Sequence, residues 1–294
     1  MHVKKNSLRA WVLAMRPKTL SGAMIPVMVA SALAWSDGRF RLFPALICLI
    51  FACLMQVAAN FINDLFDFLK GSDRPDRLGP ERACAQGWIS PQAMKWGIGI
   101  VLMFACLAGL CLLEFGNPTV LIGIGVICVI FAFLYTTLLS YCGLGDVLVL
   151  AFFGLVPVVA TYYVVAEQIT PAVWVAGIVC GLLIDTLLVL NNYRDRETDR
   201  RDGKHTLVSM FGEQFGSFFY LSLGILAWIL CYGFWIGGHR LAFVLPLLYV
   251  PIHIATWREM IQISRGKELN QILGKTSRNM LLFALLLVAG LLLS

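Results

Sequence analysis

Two short stretches of this chain carry residues able to do chemistry together. One holds Asn60, Asp64 and Asp67, the other Asn191, Asp195, Asp199 and Asp202, and an offset of 131 residues lays Asn60 on Asn191 and Asp64 on Asp195. On a helix, residues spaced i, i+4 and i+7 fall within about 60° of one another. Asn60, Asp64 and Asp67 would therefore share one face, and so would Asp195, Asp199 and Asp202. Carboxylates gathered at low dielectric repel strongly, so each cluster asks for a cation. Magnesium fits best, because it takes oxygen ligands and is usually held by one or two carboxylates together with substrate phosphates. The neighbouring Lys70, Arg74, Arg77, Arg82, Arg194, Arg196 and Lys204 would donate to the oxygens of a diphosphate gripped from both ends. A single Asp in such a loop is more often solvated than functional. What carries the reading is the repeated Asn-x-x-x-Asp spacing.

The elements that must position these acids follow from composition. The 294 residues are 59% hydrophobic and 14% charged, with a net charge of +6. An ordinary soluble domain is about 45 to 50% apolar and about 25% charged, so this chain cannot cover itself in water. The expected fold is all-α: a multi-pass membrane protein with nine transmembrane helices around a central cavity, and one domain over residues 1–294. The apolar runs are Thr19 to Trp35, Leu42 to Phe61, Met94 to Leu113, Thr119 to Leu139, Leu144 to Val165, Pro171 to Leu190, Gln214 to Ile236, Leu241 to Trp257 and Thr276 to Leu293. With nine crossings, Arg39, Arg41 and Arg240 fall on one side and the remaining 20 of the 23 Lys and Arg on the other. Basic loops mark the cytoplasmic face, which puts the N-terminus and both acidic clusters there. The inner loops Asp64 to Lys95, Asp195 to Glu213 and Arg258 to Arg278 are the long, charged ones. The basic start, Met1 to Lys18, has no cleavage site behind it and is kept as part of the protein.

Nine cysteines lie mostly inside apolar runs without CxxC spacing and read as small core residues. No nucleic-acid partner is expected, since the basic residues track topology. The expected partner is the lipid bilayer, and a wide apolar bundle beneath the acids suits a lipid tail, which makes the diphosphate ester a prenyl diphosphate. Aromatic faces stabilise a developing cation; Tyr135, Tyr141, Tyr193 and Phe66 lie near the inner helix ends, with Tyr135 preferred. Asp185 sits ten residues before Asp195 within an apolar run. A carboxylate at that depth costs about 2.5 to 3.5 kcal/mol on insertion scales and usually faces the bundle interior. It could position or deprotonate an aromatic acceptor, or serve as a structural hydrogen-bonding residue.

The chain resembles the intramembrane aromatic prenyltransferase superfamily, and within it the 1,4-dihydroxy-2-naphthoate polyprenyltransferases of menaquinone biosynthesis. The stretches that carry the likeness are Arg16-Pro17-Lys18-Thr19-Leu20, residues 63–73 with Gly79-Pro80-Glu81-Arg82 (first motif, 60–82), and residues 191–199 with Gly203-Lys204-His205-Thr206-Leu207 (second motif, 191–207). Relatives acting on 4-hydroxybenzoate or haem continue the first motif as Arg-Thr-x-x-Arg-Pro. Here Lys70-Gly71-Ser72-Asp73 stands instead, which favours the quinone branch. A Lys that many members carry after the tyrosine of the fourth span is absent after Tyr135.

The resemblance implies a magnesium-dependent enzyme transferring a polyprenyl group from polyprenyl diphosphate to 1,4-dihydroxy-2-naphthoate, with loss of carboxylate, giving demethylmenaquinone. It implies Asn60, Asp64 and Asp67 on one metal, Asp195 and Asp199 on a second, and Arg16, Lys70, Arg82 and Lys204 as contacts to the diphosphate. The expected location is the cytoplasmic (inner) membrane of the cell, with the active site toward the cytoplasm. Alternatives are another acceptor, homogentisate or 4-hydroxybenzoate, or a secondary transporter. The last is disfavoured because both clusters sit at one face rather than at the midplane.

Overall fold

The computed structural model describes residues 3–71, 77–137 and 143–294. Among them there is no strand. In a bilayer every backbone N–H and C=O must be satisfied within the segment, and a helix does so by itself. The helices are α1 (Leu8–Met15), α2 (Leu20–Ser36), α3 (Leu42–Leu69), α4 (Pro91–Cys111), α5 (Pro118–Thr137), α6 (Gly145–Ala166), α7 (Pro171–Arg201), α8 (Leu207–Ile236), α9 (Leu241–Ile263) and α10 (Leu269–Leu292). Eight, α3 to α10, are long and apolar enough to cross a membrane. A ninth crossing is made if α1 and α2, bent by 57° from each other, count as one span. The bend lies at Arg16, held in the left-handed region at φ 52° and followed by Pro17, which has no N–H to continue the helix.

Five boundaries differ by six residues or more from those expected, each lengthening its helix. α3 continues past Phe61 to Leu69, α7 past Leu190 to Arg201, α9 past Trp257 to Ile263, while α8 begins at Leu207 and α10 at Leu269. At about 1.5 Å per residue the 31 residues of α7 reach about 46 Å, against a hydrocarbon layer of about 30 Å. The polar ends remain helical outside the apolar layer because they pack on one another. The long inner loops therefore shrink to 70–90, 202–206 and 264–268.

α7 is the central strut, with two-thirds of its apolar stretch buried. α6 runs antiparallel along it with glycines at the contact: a Cβ on Gly154 would lie 2.4 Å from the carbonyl oxygen of Gly177, and one on Gly181 would lie 2.7 Å from Leu150 Cδ1. The contact coincides with a π-helical segment, Leu150–Leu155, inside α6. α5 is the opposite case, with none of its apolar stretch buried. It stands as a wall one helix thick, with Val120 and Ile127 exposed.

Candidate functional site

At the end of the bundle where α3 leaves the apolar layer, Asn60 and Asp64 are both buried. The Asn60 amide nitrogen donates to the Met15 carbonyl at 2.9 Å and to Thr19 Oγ1 at 3.1 Å, so it pins the bend between α1 and α2. Asp64 accepts the backbone N–H groups of Ala83 and Cys84, each at 2.8 Å, and so anchors the turn that follows the first motif. Arg16 Nη2 lies 4.0 Å from Asp64 Oδ2 and is buried with no hydrogen-bond partner. Asp67 accepts from Arg82 at 2.7 Å. Lys70 is exposed, capping the C-terminus of α3. Ser72 to Asp76, with Arg74 among them, lie outside the described residues, as does Tyr141.

The second motif forms the last turns of α7. Asp195 accepts from Arg194 Nε at 2.8 Å and Nη2 at 2.6 Å. Arg194 Nη1 also donates to Asn270 Oδ1 at 2.8 Å, and Asn270 Nδ2 donates to the Leu78 carbonyl at 2.8 Å. Gly79 is so close that a Cβ there would be 3.0 Å from Arg194 Nη2. The two motifs are thus joined through Asn270, at the start of α10, and through the loop after α3. Asp199 is buried, with Lys204 Nζ 3.5 Å from each oxygen. It stands nine residues beyond the apolar stretch that ends at Leu190. Burial pushes its carboxyl up to about 6; Lys204 opposes this and the Asp195 charge adds to it. Asp202 falls past the end of the helix and pairs with Arg201 at 3.3 Å, so it does not extend the carboxylate face as expected.

Other expectations are corrected by the packing. Arg194 is committed to Asp195 and Asn270. Arg196 is committed to Glu213 at 2.7 Å and to the carbonyls of Tyr193 and Ser264, with its guanidinium 4.6 Å over the Tyr193 ring. Neither is a spare donor for a diphosphate. Tyr193 is fully buried in the cluster between α7, α8, α9 and α10, its hydroxyl on Glu213, and is not among the residues that line the apolar chamber described below. Phe66 packs edge-on against Phe133.

Between α2, α3, α4, α5 and α6 lies an apolar chamber of about 580 Å³. Asn63 and Tyr135 line it near the acidic end, while Cys48, Leu112, Leu121 and Val164 line its far end. Tyr135 lies within electrostatic reach of Asp185, Asp146 and Asp67. Asp185 is buried on α7 beside the chamber rather than in its lining.

Magnesium suits the residues present. The donors are hard carboxylate oxygens, each with lone pairs beyond those its protein partners use. Among the described residues no three His, Cys, Asp or Glu side chains converge on one point. Magnesium is usually held by one or two carboxylates together with substrate phosphates, so it does not require such a group. The partnerless nitrogen of Arg16 beside Asp64 is a donor placed for an anion at the same spot.

The UbiA prenyltransferase family model matches residues 23–280. The chain belongs to this family. It is a multi-pass membrane enzyme of prenyl transfer. It is 36% identical to the 1,4-dihydroxy-2-naphthoate octaprenyltransferase of Escherichia coli (strain K12), over 97% of this chain and 96% of that one. It is 32% identical to the protein of the same name from Mycobacterium tuberculosis (strain ATCC 25618 / H37Rv), over 97% of each. Among solved structures, a UbiA homolog from Archaeoglobus fulgidus bound to GPP and Mg2+ superposes with a TM-score of 0.65 at 15% identity, covering 96% of this chain and 99% of that one. That likeness concerns the fold.

Sequence reasoning missed four residues around the site. Asn270 and the Ala83–Cys84 turn gave no signal, because their part is played by an amide and two backbone groups. Asp146 gave a faint one, a carboxylate entering an apolar run directly after Gly145.

Proposed function

We propose that this enzyme transfers a polyprenyl group from polyprenyl diphosphate to 1,4-dihydroxy-2-naphthoate, with magnesium and with loss of the carboxylate, giving demethylmenaquinol, the reduced form of demethylmenaquinone. The observation that carries the reading is the apolar chamber whose head end, at Asn63 and Tyr135, adjoins the joined acidic motifs. The names of the relatives from Escherichia coli and Mycobacterium tuberculosis support the naphthoate acceptor. Asn60, Asp64 and Asp67 would hold one magnesium ion, and Asp195 and Asp199 a second. Bound there, the metal would act as a Lewis acid toward the diphosphate leaving group.

The chain's own residues do the rest. Arg16 donates its partnerless nitrogen to a diphosphate oxygen, and Arg82, Lys70 and Lys204 add positive charge around it. The tail fills the chamber between α3 and α5, whose lining excludes water from the allylic carbon. Tyr135 offers its ring face to the positive charge that develops as the C–O bond lengthens. The excess of basic residues on the acidic side supports a site facing the cytoplasm in the inner membrane.

The test is an assay of the purified protein with a polyprenyl diphosphate and, in turn, dihydroxynaphthoate, homogentisate and 4-hydroxybenzoate, each with magnesium and with a chelator. Mass analysis should show a prenylated, decarboxylated naphthol only with the first acceptor, and none after chelation. Turnover of 4-hydroxybenzoate alone, or undiminished turnover in chelator, overturns it.

A further inference from the structure

The reaction described so far leaves two buried carboxylates unused. Asp185 on α7 and Asp146 on α6 are 3% and 7% exposed, and in each the oxygen Oδ1 has no hydrogen-bond partner. An unpaired carboxylate inside an apolar bundle is costly. It persists only where the surroundings give something in return.

Their placement is fixed by the glycine contact between α6 and α7. The two helices run antiparallel with Gly145 against Leu188, Leu150 against Gly181 and Leu155 against Gly177. Asp146 and Asp185 therefore stand at one level across that interface, close enough for the charge of one to act on the other. A like charge nearby and the loss of water both favour the neutral form of a carboxylic acid, so neighbouring buried carboxyls are suited to holding a proton. Both also act on Tyr135, which lines the chamber where the allylic carbon and the acceptor must meet. Among the described residues the chamber's lining includes no acid, and its polar members near this end are Gln56, Asn63 and Tyr135.

We propose that Asp146 and Asp185 form a proton-holding pair that takes the ring-hydroxyl proton of the aromatic acceptor through Tyr135 and gives it back before the product leaves. This rests on the acceptor proposed above carrying a ring hydroxyl. The hydroxyl passes its proton to the Tyr135 oxygen while Tyr135 passes its own to the partnerless oxygen of Asp185. The oxygen's electron pair feeds the ring carbon that bonds to the allylic carbon, and the C–O bond to the diphosphate breaks with its pair leaving on the diphosphate. When the carboxylate departs as carbon dioxide, the bonding pair restores the aromatic ring and the ring oxygen recovers its proton by the same route. No proton is gained or lost overall, which is why the pair can work shut off from water. Asp185 and Asp146 act through Tyr135 and are positioning residues. Their part is to make a weakly acidic hydroxyl a better electron source at the moment of attack.

The experiment compares the wild-type enzyme with Asp146→Asn, Asp185→Asn and Asp146→Glu. Two acceptors are used: the dihydroxynaphthoate, and an analogue whose electron-withdrawing ring substituent makes the hydroxyl more acidic. General-base assistance is worth about 100-fold or more, so both Asn variants should lose about 100-fold in kcat while KM for the diphosphate stays within about 2-fold. The deficit should shrink with the more acidic acceptor, and Asp146→Glu should recover most of the loss. A purely structural pair would lower turnover of both acceptors alike. Equal deficits with the two acceptors, or full activity in both Asn variants, overturn the proposal. Should Asp146→Asn fail to fold, Asp185→Asn and Tyr135→Phe make the same comparison. If the wild type transfers to no hydroxylated ring at all, this proposal falls together with the acceptor assignment. If the wild type is active and the variants match it, only the relay falls.

Discussion

The two acidic motifs share a spacing and differ in almost everything around it. Asn60 reaches across to another part of the chain and holds the bend at Met15 and Thr19, while Asn191, its counterpart, donates at 2.9 Å to the Leu187 carbonyl one turn back on its own helix. Asp64 is buried and ties down a backbone turn, whereas Asp195 keeps a quarter of its side chain exposed and is neutralised by the adjacent Arg194. The first motif is woven into the architecture; the second is an outward extension of one rigid helix. Equal sequence spacing thus guarantees a shared face and nothing more. What each side chain binds is set by what the fold brings opposite it.

The largest effects should be common to both motifs. Asp64→Asn and Asp195→Asn keep an acceptor oxygen but remove the charge, and each should lower prenyl transfer by about 1,000-fold or more in the assay above, since charge stabilisation of a leaving group is worth several kcal/mol. Retention of activity in one alone would show that a single motif carries the metal chemistry. Stability should then separate them. Asp64→Ala strands the N–H groups of Ala83 and Cys84, at about 1–3 kcal/mol for each buried group, so its thermal midpoint in detergent should fall well below that of Asp64→Asn. Loss of activity in Asp64→Ala alone is therefore no test of metal binding.

The asparagines sharpen the contrast. Asn60→Ala gives up the two hydrogen bonds that it donates, worth about 1 kcal/mol each, and the longer one that it accepts from Gln56, whereas Asn191→Ala removes only a bond to a carbonyl that already serves the helix and should cost less than about 0.5 kcal/mol. Equal midpoints would break the comparison. At the junction the effect should fall on binding rather than on stability: Asn270→Ala cuts the link from Arg194 to Leu78. It should raise KM for the diphosphate a few-fold while leaving the midpoint within a few degrees, as titration of initial rates would show.

The helices themselves were legible because a bilayer leaves so little choice: runs of about 20 apolar residues must be spans. Their polar extensions were harder to read, since Asn191 to Arg201 and Asn63 to Leu69 look like loop in hydropathy but stay helical on packing. Among the candidate residues, spacing placed Asp195 and Asp199 together on the last turns of α7 but misplaced Asp202, which falls past the end of the helix. Arg194 and Arg196 misled, because an arginine in a charged stretch reads as a free donor until the structure shows its internal partners. Tyr193 misled for the same reason, its neighbours being distant in sequence. Asn270 and Asp146 escaped because each means something only beside residues about 76 and 39 positions away.

The glycines between α6 and α7 have a further consequence. Gly154, Gly177 and Gly181 set how closely two antiparallel rods approach, and the same rods carry Asp146 and Asp185 a few turns along. A methyl group added at Gly154 would collide with backbone at 2.4 Å and lever the rods apart. The tuning of an acid pair is thereby delegated to residues that have no side chain to titrate, and a substitution there would slacken the chemistry without removing a single functional group.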